Sequence, residues 1–92
     1  MKSLINLQKT NKLNIIDIRD RNLYLMGHID SAINIPTGLL MQQPEKYLSL
    51  NSNYYIYCEN GLTSNKVVGI LNSRGYHTYN ISGGFKDYLL SK

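Results

Sequence analysis

The chain has 92 residues, is 42% apolar and carries a formal net charge of +4. That is one domain, residues 1–92, with a modest core, since folding at this size hides roughly 60–65% of the unfolded chain's surface. The apolar share excludes a disordered chain, and no apolar run reaches the ~20 residues of a membrane span.

In chain order, Leu4, Ile5 and Leu7 of "SLINLQKTN" give one or two helical turns. "LNIIDI" places Leu13, Ile15, Ile16 and Ile18 in a nearly continuous apolar run, the pattern of a strand buried on both faces. Asp20 is placed to cap a short helix through Leu25, which Gly27 ends. "AINIP" is a brief strand closed by Pro36, and Thr37 to Gln43 gives a helical turn or two. Pro44 fits the first position of the short helix "PEKYL". "NSN" breaks the chain before the strand "YYIY". A helix from about Ser64 to Arg74 sets Val67, Val68, Ile70 and Leu71 on its inner side, with Gly75 as its stop. "HTYNI" is the last strand, and "SGGFKDYLL" turns into a closing helix. Strands alternating with helices over short links predict an α/β fold: a small parallel sheet with helices on both faces. Right-handed crossovers then align the strands' C-terminal ends along one edge, where such sheets bind ligands. Asp17 and Cys58 both fall on that edge.

Cys58 is the one cysteine. It sits where the strand "YYIY" gives way to a polar, glycine-containing stretch and a helix, a seam at which a thiolate can be made and used. A single cysteine forms no internal disulfide, and "MKSLINLQKTNK" lacks the apolar stretch of a signal peptide, so a cytoplasmic location is expected. Abundant Asn, Ile, Lys, Leu and Tyr beside a single Ala, Ala32, fit an AT-rich coding genome, and a bacterial one is expected. The ten Lys and Arg residues are scattered with no two adjacent. Nucleic acid is therefore not an expected partner, because clustering and not net charge marks such interfaces.

Three blocks resemble the rhodanese-like (sulfurtransferase) domain family: "IIDIRDRNLYLMGHIDSAINIP", "YYIYCENGLTSNKVVGILNSRGY" and "NISGGFKDY". Each alone is weak; their order and spacing, with the cysteine in the middle block, make the resemblance specific, and it covers nearly the whole chain. It implies a rhodanese-like three-layer sandwich of about four to five strands. Two features depart from the family: a shortened or missing N-terminal edge strand, and Tyr88 where Trp is common.

The resemblance also implies a site. The cysteine opens a six-residue loop, here Cys58, Glu59, Asn60, Gly61, Leu62 and Thr63, followed by Ser64. Such a loop can curl its backbone N–H groups toward the sulfur, and Gly61 allows the curl. The dipole of the following helix adds about 0.3–1 kcal/mol, or ~2 kcal/mol when partly buried. Both effects lower a thiol's pKa from its ordinary value of about 8.5. The implied chemistry is transfer of a sulfane sulfur through a persulfide on Cys58, from thiosulfate, polysulfide or a protein persulfide to a thiol or cyanide. It needs no metal or organic cofactor. Glu59, Asn60, Gly61, Leu62, Thr63 and Ser64 are the expected substrate-binding residues, the first four mainly through backbone; Thr63 offers a hydroxyl. Asp17 and Arg19 are expected as structural partners near the site. Glu59 directly follows the cysteine and the loop has no cation. A carboxylate ~6 Å away costs a thiolate roughly 0.7 kcal/mol and repels dianionic thiosulfate, which makes thiosulfate a doubtful preferred donor.

Other readings of the seam fit less well. Phosphatase or arsenate-reductase chemistry requires Arg where Ser64 stands, to clamp an oxyanion. A thioredoxin-like role requires Cys-x-x-Cys, and a sensor a resolving cysteine. The alternative from another class is a rhodanese-fold binding or regulatory module that docks through the loop. His28 and His77 are expected as a helix-end residue and an edge residue, not as metal ligands. Gly83 and Gly84 are expected as a turn and helix start, because the pattern of a phosphate loop is absent.

Overall fold

A computed structural model describes residues 13–91. The expected turns around Leu4 to Leu7 and the question of an N-terminal edge strand lie outside those residues. The described elements are β1 (Ile15–Asp17), α1 (Arg21–Met26), β2 (Ile33–Asn34), α2 (Thr37–Gln42), α3 (Pro44–Tyr47), β3 (Asn53–Tyr57), α4 (Leu62–Ser73), β4 (His77–Asn80) and α5 (Gly84–Ser91).

All strand pairs are parallel, and the order across the four-stranded sheet is β2-β1-β3-β4. The chain runs outward from β1 to β2, crosses back beside β1 as β3, and continues outward to β4. The reversal falls between β1 and β3. An open parallel sheet forms its ligand crevice at such a switch point, beyond the strands' C-terminal ends.

The pleat sends alternate residues to opposite faces. Ile16, Ile56 and, beyond the strand, Cys58 join Leu40, Leu48, Val67 and Leu71 in a core under α2, α3 and α4. Ile15 and Tyr57 join Ile29, Ala32, Ile81 and Tyr88 on the other face, against which Tyr24 of α1 and Phe85 of α5 pack. This is the three-layer α/β architecture expected, with helices on both faces.

Three local expectations are corrected. The β1 strand is shorter than the apolar run that announced it. Asp20 precedes α1 but makes no side-chain capping bond, and its backbone carbonyl accepts from Tyr24 instead. Ile70 is 45% exposed, whereas Val67 and Leu71 are buried: Ile70 lies next to the apolar stripe in sequence but off it in the helical rotation. Helix α4 ends as expected, with Gly75 at φ 95° allowing the chain to leave.

Candidate active site

Cys58 follows the last residue of β3 and is 7% exposed. The chain then turns sharply: Gly61 takes φ 93°, and a Cβ there would lie 3.0 Å from the Gly83 amide nitrogen. The turn aims backbone amides inward. The Gly61 N–H donates to the Cys58 Sγ at 3.2 Å and the Ser64 N–H at 3.3 Å. The Ser64 Oγ lies 3.3 Å from the same sulfur.

Helix α4 begins at Leu62, two positions earlier than the expected start near Ser64. Leu62 and Thr63 therefore belong to its first turn. Gly61, left-handed, stands at the cap position with no side-chain capping bond, and just before it the Asn60 Oδ1 accepts the Leu62 N–H at 3.1 Å, an Asx turn that leads into the helix. Burial pushes the Cys58 thiol up. Once the sulfur is ionised, hydrogen bonds to it from the Ser64 hydroxyl and from the Ser64, Gly61 and Asn60 amides more than offset this, leaving the thiol below its ordinary pKa.

A cavity of about 310 Å³ opens at the sulfur between the ends of β1 and β3. Ile18, Arg19, Asp20, Leu23 and Thr37 line one side, and Cys58, Glu59, Asn60 and Thr63 the other. Of the residues expected around Cys58, then, Glu59, Asn60 and Thr63 line the cavity with it. Gly61 and Ser64 serve the sulfur through their amides. The Leu62 side chain is 69% exposed and takes no part in the lining.

Arg19 overturns one expectation. Glu59 is not a free charge beside the sulfur, because its Oε1 accepts from the Arg19 Nη1 at 3.1 Å. The cation absent from the loop is supplied from β1's end, 40 positions away in sequence. Behind it, Asp17 is fully buried and receives the Arg19 Nη2 at 2.7 Å and the Tyr57 hydroxyl at 2.6 Å. The Arg19 Nη2 also donates to the Gly27 carbonyl at 2.6 Å, and the guanidinium lies 4.2 Å from the Phe85 ring centre. Burial opposes the Arg19 charge, and the bonds to Asp17 more than restore it, so its pKa is raised. Tyr57 is pushed far above the ordinary tyrosine range, by burial first and by its bond to Asp17 second. Asp17 and Arg19 are thus the paired residues expected, within a larger network than expected.

The closing turn holds the loop from below. Gly84, at φ 62°, lies so close that a Cβ there would overlap the Cys58 carbonyl oxygen and stand 2.8 Å from the Glu59 oxygen. The Phe85 N–H donates to the Cys58 carbonyl at 2.9 Å and the Lys86 N–H to the Glu59 carbonyl at 3.1 Å. Gly83 and Gly84 are a turn and helix start, as expected, and they also fix the backbone of the thiol. His28 stacks on Tyr24 at 3.8 Å and bonds its carbonyl, while His77 is exposed at the start of β4.

Asn80 was not foreseen. It ends β4, and its Oδ1 pairs with the Ser64 hydroxyl. The available signal was its place at the C-terminal end of "HTYN", on the sheet edge that carries Cys58.

The family model of the rhodanese-like domain matches residues 1–91. An uncharacterized protein of Bacillus subtilis, YqhL, is 35% identical over 78 residues, covering 84% of this chain and 61% of its own length. The thiosulfate sulfurtransferase PspE of Escherichia coli is 32% identical over 82 residues, covering 84% of this chain and 75% of PspE. A crystal structure of a rhodanese-like domain protein from Staphylococcus aureus superposes with a TM-score of 0.81 at 32% identity, over 90% of this chain and 81% of that one. The chain spans 61%, 30% and 13% of the lengths of the first three curated relatives it matches. With this fold, this loop and these matches, the chain belongs to the rhodanese-like domain family.

Proposed function

We propose that the protein is a sulfurtransferase that carries a sulfane sulfur as a persulfide on Cys58. The observation that carries this reading is the arrangement at the sulfur: a largely buried thiol held below its ordinary pKa by the Ser64 side chain and by backbone amides that point at it. A thiol that merely filled the core would have no such donors.

The thiolate attacks the outer sulfur of the donor. With thiosulfate, a Cys58 S–S bond forms, the donor's S–S bond breaks, and sulfite leaves with its electron pair, so that the charge passes to the outer sulfur of Cys58–S–S⁻. Cyanide or a thiolate then attacks that outer sulfur. Thiocyanate or a new persulfide departs, and the Cys58 thiolate returns. A depressed pKa supplies the nucleophile, so no general base is required. The outer sulfur of the persulfide has room in the cavity of about 310 Å³ that opens at Cys58, where Asn60 and Thr63 stand beside it. The partners are small-molecule or protein sulfur donors and acceptors, and the expected location is the cytoplasm; no helix among the described residues is long and apolar enough to cross a membrane.

The pairing of Glu59 with Arg19 restores thiosulfate as a credible donor, because the Glu59 carboxylate is partly compensated. The test is turnover with thiosulfate or polysulfide as donor and cyanide as acceptor, read as thiocyanate. Wild type is expected to turn over and Cys58→Ser to be inert. Equal rates for the two proteins would refute the assignment of Cys58. Absence of turnover with both donors in the wild type would favour the binding-module alternative.

A further inference from the structure

Ser64 is fully buried, and its hydroxyl stands between two polar partners. One is the Cys58 Sγ, 3.3 Å away; the other is the Asn80 Oδ1, which it meets in a short hydrogen bond. The orientation of the Asn80 amide is fixed from its other end. The Asn80 Nδ2 faces the Gly61 carbonyl at 3.4 Å, and a carbonyl can only accept. With Nδ2 committed to Gly61, Oδ1 must face Ser64, and it too can only accept. The one proton of the Ser64 hydroxyl is therefore directed to Asn80. Ser64 then presents its oxygen to the sulfur as an acceptor, which suits a Cys58 S–H but not a thiolate.

We infer that Asn80 is a positioning residue that restrains the acidity of Cys58 by competing with its sulfur for the Ser64 hydroxyl proton. When the thiol ionises, its proton leaves to solvent. The Ser64 hydroxyl turns about its Cβ–Oγ bond from the Asn80 Oδ1 to the Sγ, and Oδ1 loses its donor. In a persulfide the charge sits on the outer sulfur, and the hydroxyl can return to Asn80. Asn80 thus disfavours the bare thiolate without disfavouring the loaded form. This consequence for sulfur transfer rests on the reading of Cys58 given above; the effect on acidity does not.

The charged groups facing the cavity are Arg19, Asp20 and Glu59, with Asp17 behind Arg19; no charged residue of α2, α4, α5 or β4 lines it. None of the variants below touches them.

The experiment is the rate of alkylation of Cys58 by iodoacetamide against pH, with no sulfur donor present. Asn80→Ala is expected to lower the thiol pKa and to speed alkylation at pH 6 by about threefold to tenfold, the equivalent of 0.5–1 pKa unit. Ser64→Ala is expected to slow it. In the Ser64→Ala background, adding Asn80→Ala is expected to change nothing. Unchanged or slower alkylation in Asn80→Ala, or the same acceleration without Ser64, would overturn the inference. Asn80→Asp supplies a check that does not depend on removing the side chain: its carboxylate competes harder for the proton, and alkylation should slow. Faster alkylation there would equally overturn it. Because no donor is used, a protein that fails to transfer sulfur still gives a definite answer.

Discussion

Gly84 offers the sharpest test of how the fold holds the site. Its φ of 62° is left-handed, and a Cβ there would overlap the Cys58 carbonyl oxygen and lie 2.8 Å from both the carbonyl carbon and oxygen of Glu59. For Gly84→Ala the left-handed backbone costs about 1–2 kcal/mol, and forcing a methyl against backbone atoms costs about 1–3 kcal/mol more. The reduced entropy of the unfolded chain returns about 0.4–1 kcal/mol. The net expectation is a loss of about 1–4.5 kcal/mol, centred near ~3 kcal/mol and a large share of the ~5–14 kcal/mol available to a chain of this size. The same displacement would lengthen the Phe85 to Cys58 and Lys86 to Glu59 backbone bonds, disturb the loop and move the thiol pKa back toward its ordinary value. Gly69 is the control. It lies inside α4, exposed, and a methyl added there would have nothing within 4 Å, so Gly69→Ala should stabilise by about 0.5–1 kcal/mol through helix propensity. Urea unfolding followed by far-UV circular dichroism measures both. A Gly84→Ala protein within about 0.5 kcal/mol of wild type would refute the claim that this turn is packed against the loop.

Other expectations follow from the same network. Arg19→Ala leaves Asp17 buried without its cation and should cost about 3–5 kcal/mol in urea unfolding. Tyr57→Phe removes a donor from Asp17 and an acceptor from the Ile29 N–H, bonded at 3.0 Å, and should cost about 1–3 kcal/mol; no loss would show that Asp17 finds another partner. Glu59→Gln frees the Arg19 Nη1 and should raise the rate of sulfur uptake from thiosulfate more than that from polysulfide; equal changes would show that donor charge is not sensed at this position. Since the Cys58 pKa is lowered on folding, its contribution to stability is fully present above the unfolded thiol's pKa and is lost as pH falls through the folded value. Alkylation should accordingly reach half its maximal rate at a pH below that of a free thiol; a midpoint at or above ~8.5 would contradict the arrangement of donors at the sulfur.

Much of this was legible from local pattern. Short apolar strand runs, glycine stops and the cysteine at a strand end are properties of neighbouring residues, and they placed the sheet, the helices and the thiol. The failures lie where placement depends on distant partners. Glu59 read as an uncompensated charge because Arg19 is 40 positions away. Asn80 read as one more strand residue because its partner Ser64 is 16 positions earlier, on another element. Ile70 read as core because an apolar type does not reveal helical phase by itself. The early start of α4 follows a left-handed Gly61 and an Asx turn at Asn60, a choice between loop and helix that composition leaves open.

The most direct test of the account is the intact mass of the protein after brief exposure to thiosulfate and, separately, to inorganic polysulfide, for wild type and Cys58→Ser. One added sulfur atom is expected on the wild type alone, removed by cyanide or by a thiol. No added sulfur from either donor, together with a Cys58 pKa at that of a free thiol, would contradict it.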